Sequence, residues 1–143
     1  MLTRYYTDST TDLPVTVRQA WRFFSQVDDW PDWCSVIRYV KRPANDWVAG
    51  GLFLFVIDLP KLPPAPLPVS ILEVVPEKTL VWGVKTPLGS VRHRFNFIDL
   101  GDGRCRIHQE EWSNGLPTLL MLPVGHLITR FNKLMAAELE AMF

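Results

Sequence analysis

The chain has 143 residues, enough for one domain with a substantial core, since a chain of this size buries roughly 70% of its unfolded surface. Its 15 basic and 15 acidic residues cancel without forming blocks of either sign, so the electrostatic footprint of a nucleic-acid or anionic-membrane binder is missing. With 48% hydrophobic and 12% aromatic residues, recognition has to come from shape and apolar surface.

The opening residues, MLTRYYTDST, lack the apolar run of a signal peptide, and no window approaches the roughly 18 apolar residues of a membrane span. No integral membrane segment is therefore expected, and the expected location is cytoplasmic. Cys34 and Cys105 show no CxxC or CxxxH spacing, which predicts two reduced thiols rather than a disulfide or a zinc site.

Residues 2–9, LTRYYTDS, mix β-branched, aromatic and polar side chains and predict a first strand with one wetted face. Thr10, Thr11 and Asp12 then offer helix caps, and Pro14 suits a helix start. Val17, Ala20, Trp21 and Phe24 recur at i, i+3, i+4 and i+7 and predict one buried helical face. VDDW allows a second short helical turn, which Pro31 is expected to end or redirect. From there the texture is β: CSVIRYVKR, GLFLFVID, PVSILEVV, TLVWGVK, SVRHRFNFIDL and CRIHQEEWS, separated by NDWVAGG, VPEK, TPLG and GDG.

The proline-rich piece LPKLPPAPLP, residues 59–68, reads either as a polyproline ligand or as a stiff loop, and its position between two strands favours the loop. After Gly115 the pattern is helical to the end, with Val124, Leu127, Ile128, Phe131, Leu134, Met135 and Met142 on one face and Pro123 kinking or dividing the start.

This order predicts an α+β fold: a seven-stranded antiparallel sheet against a long C-terminal helix, with two short helices between strands 1 and 2. Seven strands about 4.8 Å apart span roughly 29 Å, whereas a helix with its side chains is about 10–12 Å across. Either large side chains fill the uncovered face, or an apolar hollow remains.

Several stretches carry a resemblance in their order: AWRFFSQVDDWPDW, the GG before FLF, EVVPEKTLVW, RHRFNF, HQEEWSNG and FNKLMAAELEAM. Together the chain resembles the SRPBCC superfamily of helix-grip proteins, which includes START lipid-transfer domains, birch-pollen-type allergens and polyketide cyclase/dehydrase-like proteins. The resemblance covers residues 1–143 as a single domain, with Asn114 an extra residue in the stretch before Gly115. It implies a curved sheet wrapped around the C-terminal helix.

Trp30 and Trp33, flanking Pro31, are expected to plug the corner made by the two short helices; Trp33 also qualifies as pocket wall. The hairpin IDLGDGRC, turning at Gly101, predicts that Phe97 faces Cys105, Phe95 faces Ile107, His93 faces Gln109 and Val91 faces Glu111, all on one face. Because that face is apolar it should be the concave one, which leaves His93, Gln109 and Glu111 as polar exceptions inside it. His108 falls on the other face, against a metal pair with His93. Tyr6 joins the inner group if its hydroxyl points inward. GLFLFVID is apolar on both faces. The resemblance implies that Phe53 and Phe55 line the hollow, so that Leu52, Leu54 and Val56 lie under a loop or the partner of a homodimer.

Two functions of different class follow. The first is binding of a small hydrophobic ligand, possession of a hollow being its only requirement, with Trp33, Phe53, Phe55, Phe95, Leu127 and Phe131 as wall and His93, Gln109, Glu111 and Tyr6 as orienting groups. The second, implied by the resemblance, is a polyketide cyclase or dehydratase-like enzyme in which His93 and Glu111 are catalytic and move protons. A third, a protein-interaction module of the stress-cochaperone kind, requires a filled core. No nucleophile elbow, phosphate-cradling glycine loop or metal-ligand cluster occurs, so no cofactor, metal or nucleic-acid partner is expected.

Overall fold

The computed structural model describes residues 5–41, 49–58, 63–121 and 125–143. In chain order the elements are β1 (Tyr5–Leu13), α1 (Val17–Phe24), a 3-10 turn (Val27–Asp29), α2 (Trp30–Trp33), β2 (Ile37–Lys41), β3 (Leu52–Ile57), β4 (Ala65–Val75), β5 (Thr79–Thr86), β6 (Gly89–Gly101), β7 (Arg104–Gly115), α3 (Leu116–Met121) and α4 (Gly125–Glu140). The strands form one antiparallel sheet in the order β1-β7-β6-β5-β4-β3-β2, so the first strand closes one side of the meander. The curved seven-stranded antiparallel sheet with a C-terminal helix is the expected α+β architecture.

Local chemistry explains where the boundaries depart from expectation. Thr10, Thr11 and Asp12 do not cap a helix but continue β1, because Leu13 and Thr11 point inward and are buried opposite Cys105 and Ile107. The cap is Thr16: the Gln19 N–H donates to its Oγ1 at 3.2 Å and the Thr16 N–H donates to Gln19 Oε1 at 2.9 Å, a reciprocal capping box. Pro31 does not end a helical turn. It sits in the first turn of α2, where its missing N–H removes no bond.

Residues 65–68 of the proline-rich piece are strand rather than loop, with Pro66 opposite Val56 and Pro68 opposite Leu54. The Ile71 N–H donates to Gly51 O on the β3 side at 2.8 Å, so strand alternation turns the Pro66 and Pro68 nitrogens toward β5. Pairing with β5 begins only at Ser70, and the prolines therefore forfeit no ladder bond. Residues 59–62 of that piece, and Pro123 with Val124, lie outside the described residues. The helical pattern after Gly115 is divided into α3 and α4, and Met142 lies beyond α4, exposed.

The core lies between the concave sheet face and the helices. Phe24 of α1, Trp30 and Trp33 of α2, Phe53 and Phe55 of β3, Phe95 of β6 and Met135 and Leu139 of α4 belong to one buried cluster. Trp30 is its corner: its Nε1 donates to Phe24 O at 2.8 Å, and its ring stacks on Phe55 at 5.6 Å and meets Trp82 at 5.2 Å. The Glu138 carboxylate ties the end of α4 to this corner by accepting from the Ser35 N–H at 3.2 Å and the Ser35 hydroxyl at 2.8 Å.

Candidate functional site

Alternation on β6 and β7 sends His93, Phe95 and Phe97 inward, together with Cys105, Ile107, Gln109 and Glu111; all but Glu111 are buried, and its side chain is only 12% exposed. The pairing differs from the expected register by two residues: His93 stands opposite Glu111, Phe95 opposite Gln109 and Phe97 opposite Ile107. The turn is the reason. Asp102 and Gly103 take positive φ at its tip, and a bulge between Asp99 and Gly101 absorbs the mismatch. A slip of two preserves the faces, so the inward set is as expected while the partners are not.

His93 is the centre of the row. Its ring stacks on Phe95 at 4.3 Å and meets the edge of Trp82 at 5.6 Å. Its Nε2 lies 3.1 Å from Gln109 Oε1 and its Nδ1 lies 3.4 Å from Glu111 Oε1. An amide oxygen only accepts, so with Gln109 oriented this way Nε2 carries the proton and Nδ1 presents a lone pair to Glu111.

Burial lowers the His93 pKa to about 4, with the Gln109 contact opposing the shift. Burial likewise raises the Glu111 pKa to about 7, opposed by a hydrogen bond with Asn132 of α4. The 3.4 Å approach thus has the distance of an ion pair without its charges: between about pH 4 and 7 both groups are neutral. In that state a carboxyl proton on Glu111 Oε1 faces the Nδ1 lone pair. Glu111 Oε2 and Asn132 Oδ1 are buried and have no hydrogen-bond partner among the described residues.

The remaining candidates divide. Trp33 is buried in the corner, its ring 5.8 Å from Trp30 and 5.7 Å from Phe23. Phe53 and Phe55 face inward, and Trp82, 5.1 Å from Phe55 and beside His93, joins that aromatic end to the polar row. Phe131 packs against the core from α4, and Leu127 is half-buried one turn earlier.

Tyr6 does not join the inner group. It pairs with Trp112 on the outer face, is 50% exposed, and its hydroxyl donates to Glu110 Oε2 at 3.1 Å. His108 is also on the outer face, its Nε2 3.0 Å from Asp8 Oδ2. Among the described residues no cluster of three or more His, Cys, Asp or Glu is placed to hold a metal.

Sequence reasoning passed over Asn132 and Trp82. Asn132 lies three residues before Met135 and seven before Leu139, on the buried stripe of α4, and a polar residue in such a stripe was the available signal. Trp82 was placed in a strand, but its partner His93 depends on the β5–β6 register.

Sheet, corner helices and gripping C-terminal helix define a helix-grip fold, as the motif resemblance implied. No family model matches the chain, and no curated protein matches it significantly. Solved structures do. The chain is similar to the Zhui aromatase/cyclase from Streptomyces sp. R1128, with a TM-score of 0.80 and 9% identity over 98% of this chain and 93% of that one. It is similar to norcoclaurine synthase from Thalictrum flavum, solved with dopamine and hydroxybenzaldehyde, with a TM-score of 0.75 and 12% identity over 99% of this chain and 87% of that one. A START superfamily protein from Mycobacterium smegmatis has a TM-score of 0.68 and 10% identity over 96% of this chain and 99% of that one. At these identities the likeness establishes the fold. Among the described residues no helix is long and apolar enough to cross a membrane.

Proposed function

We propose that the chain, as one domain over residues 1–143, binds a small hydrophobic molecule between the concave sheet face and α4. Trp33, Phe53, Phe55, Phe95, Leu127 and Phe131 supply apolar wall, and His93, Gln109 and Glu111 orient the ligand. The observation that carries this reading is the buried polar row on an apolar face, ending in two acceptors, Glu111 Oε2 and Asn132 Oδ1, that have no hydrogen-bond partner among the described residues. A buried polar atom without a partner costs about 1–3 kcal/mol, a cost that a bound molecule can relieve.

The test is native mass spectrometry of freshly purified protein together with titration of the neutral apolar dye Nile red. A co-purified small molecule, or saturable one-to-one dye binding, is expected. Absence of both would leave the protein-interaction reading.

A second reading is favoured by one observation: Glu111, raised to about 7, stands 3.4 Å from a neutral imidazole. A carboxyl group titrating near neutrality suits general acid–base work, as in a cyclase that takes a proton from carbon beside one carbonyl and returns it to the oxygen of another after ring closure. Cyclisation of a polyketide chain that is lost in Glu111→Gln with binding retained supports catalysis; a change in affinity alone supports the binder.

Two further expectations belong to the same reading. The free thiols of Cys34 and Cys105 support a cytoplasmic setting. Leu52 and Tyr39, exposed on the outer face beside half-buried Leu54 and Val56, support a homodimer, which a monomeric mass by light scattering at high concentration would remove.

A further inference from the structure

The hydrogen-bonding inventory of the inner row is lopsided. Gln109 Oε1 is taken by His93 Nε2, and His93 Nδ1 is faced by Glu111 Oε1. The Asn132 side chain hydrogen-bonds to the Glu111 carboxyl group, and because Asn132 Oδ1 has no partner among the described residues, the amide nitrogen of Asn132 is the donor. What remains unpartnered around this row among the described residues is Glu111 Oε2 and Asn132 Oδ1, which accept, and the Ser9 hydroxyl opposite Gln109 on β1, which can accept or donate. The unpartnered indole N–H of Trp33 belongs to the aromatic corner, where α4 is tied by Glu138, about 9 Å along the helix from Asn132.

We infer that the polar end of the ligand is a neutral hydroxyl on an apolar, preferably aromatic body, and that its O–H donates to the acceptor pair Glu111 Oε2 and Asn132 Oδ1. This rests on the binding reading above and narrows it. A carbonyl or ether oxygen brings another acceptor to the two acceptors and leaves that pair without a donor. A carboxylate must shed its hydration inside an apolar wall and brings two more acceptors to the pair. An ammonium group must shed its hydration inside an apolar wall, a penalty that its attraction to one carboxyl group does not generally recover. A hydroxyl reproduces the donor that a water molecule would offer there and loses nothing when it takes that place. The flat rings of Phe95 and Trp82 around His93 fit an aromatic body beside it.

The experiment is a competition series against Nile red on the whole chain, using naphthalene, 2-naphthol, 2-methoxynaphthalene and 2-(aminomethyl)naphthalene. All share one ring system and differ in the group presented. The expected result is that 2-naphthol displaces the dye at least about tenfold more tightly than 2-methoxynaphthalene. That preference should collapse in Asn132→Leu, whose far-UV circular dichroism and cooperative urea unfolding, matched to wild type, show that it has folded.

If Nile red binds but 2-methoxynaphthalene matches 2-naphthol in wild-type protein, the donor assignment is overturned while the apolar binder stands. Tighter binding of the aminomethyl compound overturns the choice of a neutral hydroxyl. If the dye itself does not bind, the binding reading fails and this inference with it.

Discussion

Glu111 and His93 sit side by side, and burial moves their titrations in opposite directions. Glu111 titrates near 7 in the folded chain and near 4.5 when exposed, so its contribution to stability is complete below about pH 4.5 and is lost as pH rises to about 7. His93, lowered from 6.5 to about 4, contributes above about pH 6.5 and loses that contribution as pH falls through 4. Glu111→Gln removes the first dependence and keeps the second. Between pH 5 and pH 8, urea unfolding should therefore show the variant gaining roughly 2–3 kcal/mol relative to wild type. Parallel pH profiles would mean that the carboxyl group stays hydrated. The inward placement of His93, Gln109 and Glu111 was legible because alternation is a property of each strand alone. Their pairing was not, because it depends on a bulge at Asp99–Gly101 that no single residue announces.

At the scale of elements, the site depends on how closely β5 approaches β6. A Cβ built on Gly83 would lie 2.0 Å from Val91 O, so this glycine is what lets the two strands pair beside the Trp82–His93 contact. Gly83→Ala should force the backbones apart and cost about 1–3 kcal/mol of stability, measured as a lower denaturation midpoint. An unchanged midpoint would show that the ladder yields there. The elements that were hardest to place share one cause. Thr10 to Leu13 and Ala65 to Pro68 have loop-like composition but are held as strand by neighbours distant in sequence, Cys105 to His108 for the first and Leu54 to Ile57 for the second. By contrast the strands from β5 to β7 carry strong β-branched and aromatic content with clear turn signals, and their existence was plain from composition alone.

For the molecule as a whole, two buried thiols report on closure. Cys34 sits in the α2 corner with its pKa pushed to about 12, first by burial and further by the nearby Glu138 carboxylate. Cys105 lies under β1 opposite Leu13, its pKa raised by burial and then by Asp99 and Asp12. Since the thiolate is the reactive form, neither should react with a disulfide reagent in folded protein at pH 8, and both should react together on unfolding. One equivalent reacting quickly in native buffer would mean that one of the two sites opens independently.

By itself the sequence determined the order of helices and strands, the inward faces of β6 and β7 and the aromatic corner at Trp30 and Trp33, because periodicity and turn chemistry act over a few neighbouring residues. Only the tertiary structure decided that Tyr6 points outward, that His93 meets Glu111, and that Asn132 of α4 reaches the same carboxyl group. Those meetings depend on strand register and on where a helix lands across the sheet, and both are set by packing between segments far apart in the chain.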